Sequence, residues 1–261
     1  MMRSLSIAAT GMLAQELKMN VTANNLANAN TAGFKRARAE FEDLLTEKIA
    51  QAEGPREVGG GRPSPLEVGL GVRVAATTRS FGQGDLINTQ NPLDVAIEGA
   101  GFFAVRTPNG DSAYTRAGNL RVDAEGRLVT QQGLLLEPAI TLPQDATEVS
   151  IDSAGRVTAR IPGSDLPVDV GQLELTTFTN PGGLESMGDT LLRATEASGA
   201  PRTGAPGQDG AGALQQGFLE GANVKTVEEM IDLITTQRSY EMSSKVIQTA
   251  DQMLQRLSQL R

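Results

Sequence analysis

Apolar residues recur with a helical period at the two ends of this chain and with a shorter, broken period between them. Leu5, Met12, Met19 and Leu26 follow one another every seven residues, Ala9 and Ala23 fall between them, and Leu13, Leu17 and Val21 form an adjacent row. Two neighbouring rows make a face wider than a two-stranded coiled-coil seam, so the spacing predicts an amphipathic helix with more to bury than one partner covers. Ser4 or Ser6 is placed to cap its start, and the stretch from Asn28 to Gly33 ends it. At the other end Val227, Ile231, Ile234, Val246, Ala250, Met253, Leu257 and Leu260 lie along one stripe, and Met230, Leu233, Tyr240, Ile247 and Leu254 along a second. Thr226 followed three residues later by Glu229 fits a capping box, with Asn223 as an alternative cap. The resulting helix of about 35 residues would be roughly 50 Å long, far more than a small β domain needs.

No proline precedes Pro55 or follows Pro206, so the residues that interrupt helices are gathered in the middle. Gly54, Pro55, Gly59, Gly60, Gly61, Pro63, Pro65 and Gly69 mark a linker or extended arm. The segment before it, Lys35 to Gln51, carries Phe41, Leu44, Leu45 and Ile49 at helix-like spacing and is open between helix and extended chain. From Val72 the period falls to two: Leu93, Val95 and Ile97 point one way, and Asp94, Ala96 and Glu98 the other, as in a half-buried strand. Val122-Asp123-Ala124-Glu125-Gly126-Arg127-Leu128 is echoed by Ile151-Asp152-Ser153-Ala154-Gly155-Arg156-Val157. Each reads as strand, turn and returning strand, with Asp opening the turn and Gly where positive φ is cheap. Ser198 to Gly212 is again loop-like.

The fold class expected is therefore α+β. Long N- and C-terminal helices pair as a coiled-coil-like layer, with an inserted, all-β antiparallel body. The corresponding divisions are 1–34 with 217–261 for the helices, 35–75 for a connecting arm and 76–216 for the β region.

Composition removes several chemistries. The chain has 261 residues, no Cys and no His, so disulfides, thiolate nucleophiles, zinc sites made from those ligands and an imidazole base are absent. A net charge of -8 without a basic run opposes nucleic-acid binding. The absence of Trp and an aromatic content of 3% weaken a base-stacking or sugar-binding reading. Leu5 to Ala14 resembles the apolar part of a signal peptide. Glu16 and Lys18 follow without a cleavage pattern, however, so a cleaved signal is not expected. No apolar run reaches the length of a membrane span.

Three features invite sharper readings. Gly99-Ala100-Gly101-Phe102-Phe103-Ala104 fits a dinucleotide fingerprint, but Pro108 and Asn109-Gly110 contradict the helix that should receive a pyrophosphate, which leaves a tight bend. Asp94 and Glu98 invite comparison with the paired carboxylates of glycosidases. Four residues apart on a strand they stand about 13 Å from each other, beyond the roughly 5–9.5 Å that chemistry requires. Asn20-Val21-Thr22 matches a glycosylation acceptor but sits within a helical stripe.

The strings from Asn24 to Lys35 (NNLANANTAGFK), from Gln83 to Val105, from Tyr114 to Gly133, and Asn223-Val224 followed by Glu228 to Leu254 resemble the signatures of the bacterial flagellar rod and hook proteins, in order and across most of the chain. Its length, and the Gly-rich arm before Gly69 to Phe81, are closer to the distal-rod branch than to the hook. The resemblance implies a non-catalytic axial protein without cofactor or metal. Such a protein is exported unfolded without a cleaved signal peptide and assembles into a hollow, straight helical shaft across the periplasm that transmits torque from motor to hook and encloses the export channel. Implied partners are copies of itself, proximal rod proteins, the hook protein, the outer-membrane and peptidoglycan ring proteins, the export apparatus and the rod cap, with no nucleic acid and no membrane insertion. The assembly surface expected is Leu5, Met12, Leu13, Leu17, Met19, Asn24, Asn25, Leu26 and Asn28 on the first helix. On the second it is Val227, Ile231, Ile234, Arg238, Tyr240, Val246, Ile247, Met253, Leu254 and Leu257. Arg238 is expected to fix register between stacked subunits, and Gly59, Gly60, Gly61, Pro63 and Pro65 to form an arm that keeps the shaft straight. The alternatives are a hook or other rod member, a secreted peptidoglycan-cleaving enzyme, and an adhesin with a monomeric stalk.

Overall fold

The computed structural model describes residues 2–50, 65–163 and 166–259. Two long helices, α1 (Met2–Ala27) and α2 (Thr226–Gln259), lie at the two ends of the sequence, and the strands between them pair antiparallel. The chain forms two compact units. The first contains Met1–Leu26, Ala37–Thr78 and Lys225–Arg261; the second contains Ala27–Arg36 and Arg79–Val224.

In the first unit α1 and α2 touch at two described points. Asn25 meets Glu229, and Gly11 faces Ser243. Moving up α1 from one point to the other means moving down α2, so the helices run antiparallel where they meet. The segment that follows α1 in this unit is extended rather than helical. Ala37–Asp43 shares a two-stranded sheet with Val72–Arg79, and Thr46–Ala50 pairs with Leu66–Gly69. Pairing partners outweigh the helix-like spacing of Phe41, Leu44 and Leu45, of which Phe41 and Leu45 stay exposed. Where these two pairings adjoin, Leu44 N–H donates to Gly71 O, and Leu70 N–H to Leu45 O. Gly71, at φ 121°, packs against Thr10 of α1.

The second unit is built on a seven-stranded sheet in the order Glu185–Gly188, Leu191–Arg193, Ser112–Thr115, Phe103–Arg106, Leu135–Glu137, Leu128–Val129 and Arg121–Val122. A three-stranded sheet joins Glu148–Ile151, Arg156–Arg160 and Val168–Gln172. Val95–Glu98 pairs with Ala213–Gln216, and Leu86–Asn88 with Phe218–Glu220. Val95, Ile97, Phe103, Val105, Leu128, Leu136, Val157, Leu173 and Leu175 fill the main core. Phe102, Tyr114 and Phe178 form a second cluster with edge-on ring contacts, centroids 4.8–5.9 Å apart.

The alternating strand at residues 93–98 is covered on both faces. Val95, Ala96 and Ile97 are all buried, and only Glu98 remains exposed. Asp94, expected on a solvated face, is buried too; its carboxylate accepts from Thr89 Oγ1 at 2.6 Å and Asn91 Nδ2 at 2.9 Å. The two echoed hairpins agree in detail. Gly126 N–H donates to Asp123 O and Gly155 N–H to Asp152 O, both glycines lie at φ 83°, and their carbonyls accept from Leu142 and Leu173.

Gly118 is the tightest place in this unit. A Cβ there would overlap the Val95 carbonyl oxygen and touch the Phe103 ring. Gly118→Ala should therefore lower unfolding stability by about 1–3 kcal/mol, measured by urea denaturation. Gly204→Ala, which has no atom within 4 Å of the new methyl group, should stay within about 0.5 kcal/mol of the parent.

Candidate assembly interface

The two helices divide their residues unequally. On α2 the buried positions Glu229, Thr236 and Ala250, with half-buried Ser243, recur every seven residues. On α1 the buried positions are Ala8, Ala14, Thr22 and Asn25. The inward row of α2 is thus small or polar; Leu233, Ile247 and Leu254 are half-buried, and the other described large aliphatic side chains face water. Val227 is 67% exposed, Ile231 59%, Ile234 50% and Met242 63%, and Met230, Val246 and Met253 are close to half exposed. Hydroxyls of Thr235, Thr236, Ser239, Ser243 and Thr249 donate to the carbonyl four residues earlier, so they are satisfied within the helix.

Of the residues assigned above to an assembly surface, Val227, Ile231, Ile234, Arg238, Tyr240, Val246 and Met253 are exposed, and Ile247 and Leu254 are half-buried. On α1 Leu13 and Asn24 are exposed, while Leu5, Met12, Leu17, Met19, Leu26 and Asn28 are half-buried. Asn25 is different: it is spent inside the chain. Its Oδ1 accepts from Ala37 N–H at 2.9 Å, and its Nδ2 donates to Ala37 O at 2.8 Å and Glu229 Oε2 at 3.1 Å. Ala250, placed with the apolar stripe by period, is buried instead. The side chain of Leu257, and Gly59, Gly60, Gly61 and Pro63, lie outside the described residues; Pro65 is exposed. Met242, between Ile234 and Val246 on the same face, escaped the sequence reading although its spacing from Val246 is one helical row.

The residues proposed as caps for α2 carry other bonds. α2 starts at Thr226, and Glu229 directs a carboxylate oxygen at Asn25. Asn223 accepts from Arg36 N–H at 2.7 Å and donates to Ser80 O and Gly82 O, so both ends of its amide are used away from the helix.

Sequence reasoning also missed a buried ion cluster in the second unit. Glu220 accepts from Lys35 Nζ at 2.7 Å, from Arg116 Nε at 2.5 Å and from Gly84 N–H at 2.8 Å. Lys35 Nζ donates in addition to Gly82 O at 2.7 Å, and the Arg116 guanidinium to Gly99 O and Gly101 O. Burial pushes the Lys35 ammonium below the ordinary lysine range, and its hydrogen bond to Glu220 opposes that shift. Glu220 lies 185 residues from Lys35 and 104 from Arg116. Both cations stand inside the recognised strings, which was the available signal.

Three family patterns match in order. Residues 5–35 match the flagella basal body rod protein pattern, 96–159 the D1 domain of flagellar hook protein FlgE/F/G, and 215–260 the C-terminal part of flagellar basal body rod FlgEFG protein. The chain is 48% identical over 261 residues to the flagellar basal-body rod protein FlgG of Caulobacter vibrioides, covering all of both chains. The chain belongs to the flagellar basal-body rod protein family. The FlgG of Bacillus subtilis is 37% identical, again across all of both chains. The flagellar hook protein FlgE of Helicobacter mustelae is 37% identical over 171 residues, which is 65% of this chain and 38% of that protein. The family is structural and non-enzymatic, so neither the bend at Gly99 nor the Asp94 and Glu98 carboxylates belongs to a catalytic site.

Asn25 offers a direct test of the helix attachment in the rod family's signature segment. Asn25→Ala removes three hydrogen bonds and should lower stability by about 1–3 kcal/mol, read from urea unfolding followed by far-ultraviolet circular dichroism. Asn20→Ala, at an exposed position of the same helix, should change it by less than about 0.5 kcal/mol.

Proposed function

We propose that this chain is a structural subunit of the flagellar distal rod, self-assembling through its terminal helices into a straight, hollow helical shaft that transmits torque from motor to hook and encloses the export channel. One observation carries the reading: α2 turns its small, polar row inward and leaves seven large apolar side chains in water. Covering that stripe returns on the order of 5–10 kcal/mol per subunit, since each side chain is already partly buried. That is comparable with the cost of immobilising one subunit, so stable assembly needs each copy to contact several neighbours. Contacts that join different surfaces of successive copies do not close into a dimer and generate a helical filament.

In this reading α1 and α2 pair as a coiled-coil-like inner layer formed by 1–34 and 217–261. The β region, 76–216, faces outward, and the arm within 35–75 contacts neighbouring copies to keep the shaft straight. Arg238, exposed within the apolar stripe, fixes register between stacked helices, the use best attested for a polar residue in such a seam. Partners are copies of the chain, proximal rod proteins and the hook protein, with ring proteins, rod cap and export apparatus around them. The hook alternative is weaker, because the hook relative is matched over little more than a third of its length whereas the rod relatives are matched end to end.

Ile231→Asp should leave the isolated chain's circular dichroism and melting temperature unchanged, because the residue is largely exposed, and should abolish straight filaments in negative-stain micrographs of concentrated protein. Arg238→Ala should still give polymer by sedimentation, with loss of straightness. Parent protein that stays monomeric at every concentration would sink the proposal.

A further inference from the structure

Residues 27–36 belong to the second unit although the residues on both sides of them in sequence belong to the first. Their fastening is almost entirely polar. Gly33 N–H donates to Glu220 O at 2.8 Å, Lys35 Nζ to Glu220 Oε1 and Gly82 O at 2.7 Å each, and Arg36 N–H to Asn223 Oδ1 at 2.7 Å. Arg36 O accepts from Ser80 N–H at 2.9 Å. Asn223 Nδ2 reaches Ser80 O and Gly82 O, and Glu220 Oε1 takes Gly84 N–H, so the same two side chains also hold residues 80–84. Among large side chains, apolar attachment is confined to Phe34. Among the described residues neither hydrophobic cluster of the β region includes any of 27–36. Phe34 is buried, beneath the Arg79 guanidinium at 5.9 Å.

A segment held by few side chains and outside the core has its own opening equilibrium, separate from that of the core it rests on. We infer that Glu220 and Asn223 form a latch: they hold residues 27–36 and 80–84 together as one cooperative unit that opens and closes while the β core stays folded. The latch is strong when shut, because opening pulls Lys35 away from the buried carboxylate that it shares with Arg116, and it is narrow, because two positions three residues apart operate it. Glu220 and Asn223 act here as positioning residues. The use follows from the rod reading and rests on it: a subunit entering a shaft can loosen the segment leading from its first helix without unfolding its β region. The existence of the latch does not depend on that reading.

Native-state amide hydrogen exchange on the full chain tests it, with Asn223→Ala and Glu220→Gln compared with the parent. The informative amides are those the substituted side chain does not bond. In Asn223→Ala, Gly33 and Gly84 should exchange at least tenfold faster; in Glu220→Gln, Arg36 and Ser80 should do so. Amides of the core strands Phe103–Arg106 and Arg156–Arg160 should stay within twofold in both. Unchanged rates at the untouched amides would show independent bonds and overturn the latch. Acceleration of the core strands by the same factor would overturn it as well, by making the cluster part of global stability. Should Glu220→Gln fail to fold, Asn223→Ala, which strands no charge, carries the test alone. A chain that shows the expected pattern yet never forms filaments keeps the latch and overturns the rod reading.

Discussion

Glu220 is the constraint that fastens the segment after α1, and residues 80–84, onto the β region. A carboxylate that is 1% exposed and two buried cations are costly to hold out of water unless they meet one another. The partners come from the start of the chain, at Lys35, and from its middle, at Arg116. Satisfying one group therefore brings three distant stretches to one place. The rest of the β region is then looped out, with its first and last strands, Leu86–Asn88 and Phe218–Glu220, paired to each other. Close backbone approaches complete the arrangement: a Cβ on Gly33 would stand 2.5 Å from Ala117 N. Glycine is required there for lack of room as well as for its φ of 71°.

Elements governed by local chemistry were legible in the sequence. Both terminal helices were, since their apolar rows persist for many turns. So were the paired hairpins at Asp123 and Asp152, where an Asp opens the turn and a Gly takes the left-handed position. Most of what stayed hidden was governed by distance along the chain. The strand from Ala37 to Asp43 carries a period-two signal, Ala37, Ala39 and Phe41 alternating with Arg38, Glu40 and Glu42, which the helix-like spacing of the longer window masked, and its partner Val72–Arg79 lies well along the chain. The ion cluster joins charges that appear unrelated in the linear order. Burial of Ala96 and Asp94 needed knowledge of what covers the second face of their strand.

The inner row of α2 was hidden for another reason. Reading by hydrophobic period assumes that a helix buries its largest apolar residues against its nearest neighbour. Here Glu229, Thr236, Ser243 and Ala250 take that position, and Val227, Ile231, Ile234 and Met242 do not. Small residues let backbones approach closely, as at Gly11 and Ser243. Large residues left outside are what a filament-forming subunit of the proposed kind holds in reserve. The same stripe that announces the helix in the sequence thus speaks for contacts beyond the single chain, and the contact within the chain is written in residues a hydropathy reading passes over.

The aromatic inventory gives each unit its own optical reporter. The chain has no Trp and two Tyr: Tyr114 is buried among phenylalanine rings in the second unit, and Tyr240 lies exposed on α2 in the first. With no indole emission to mask them, replacing either tyrosine by phenylalanine leaves a chain whose ultraviolet fluorescence follows one unit alone. The behaviour of the helices and of the β region can then be watched separately in the same sample without attaching a dye.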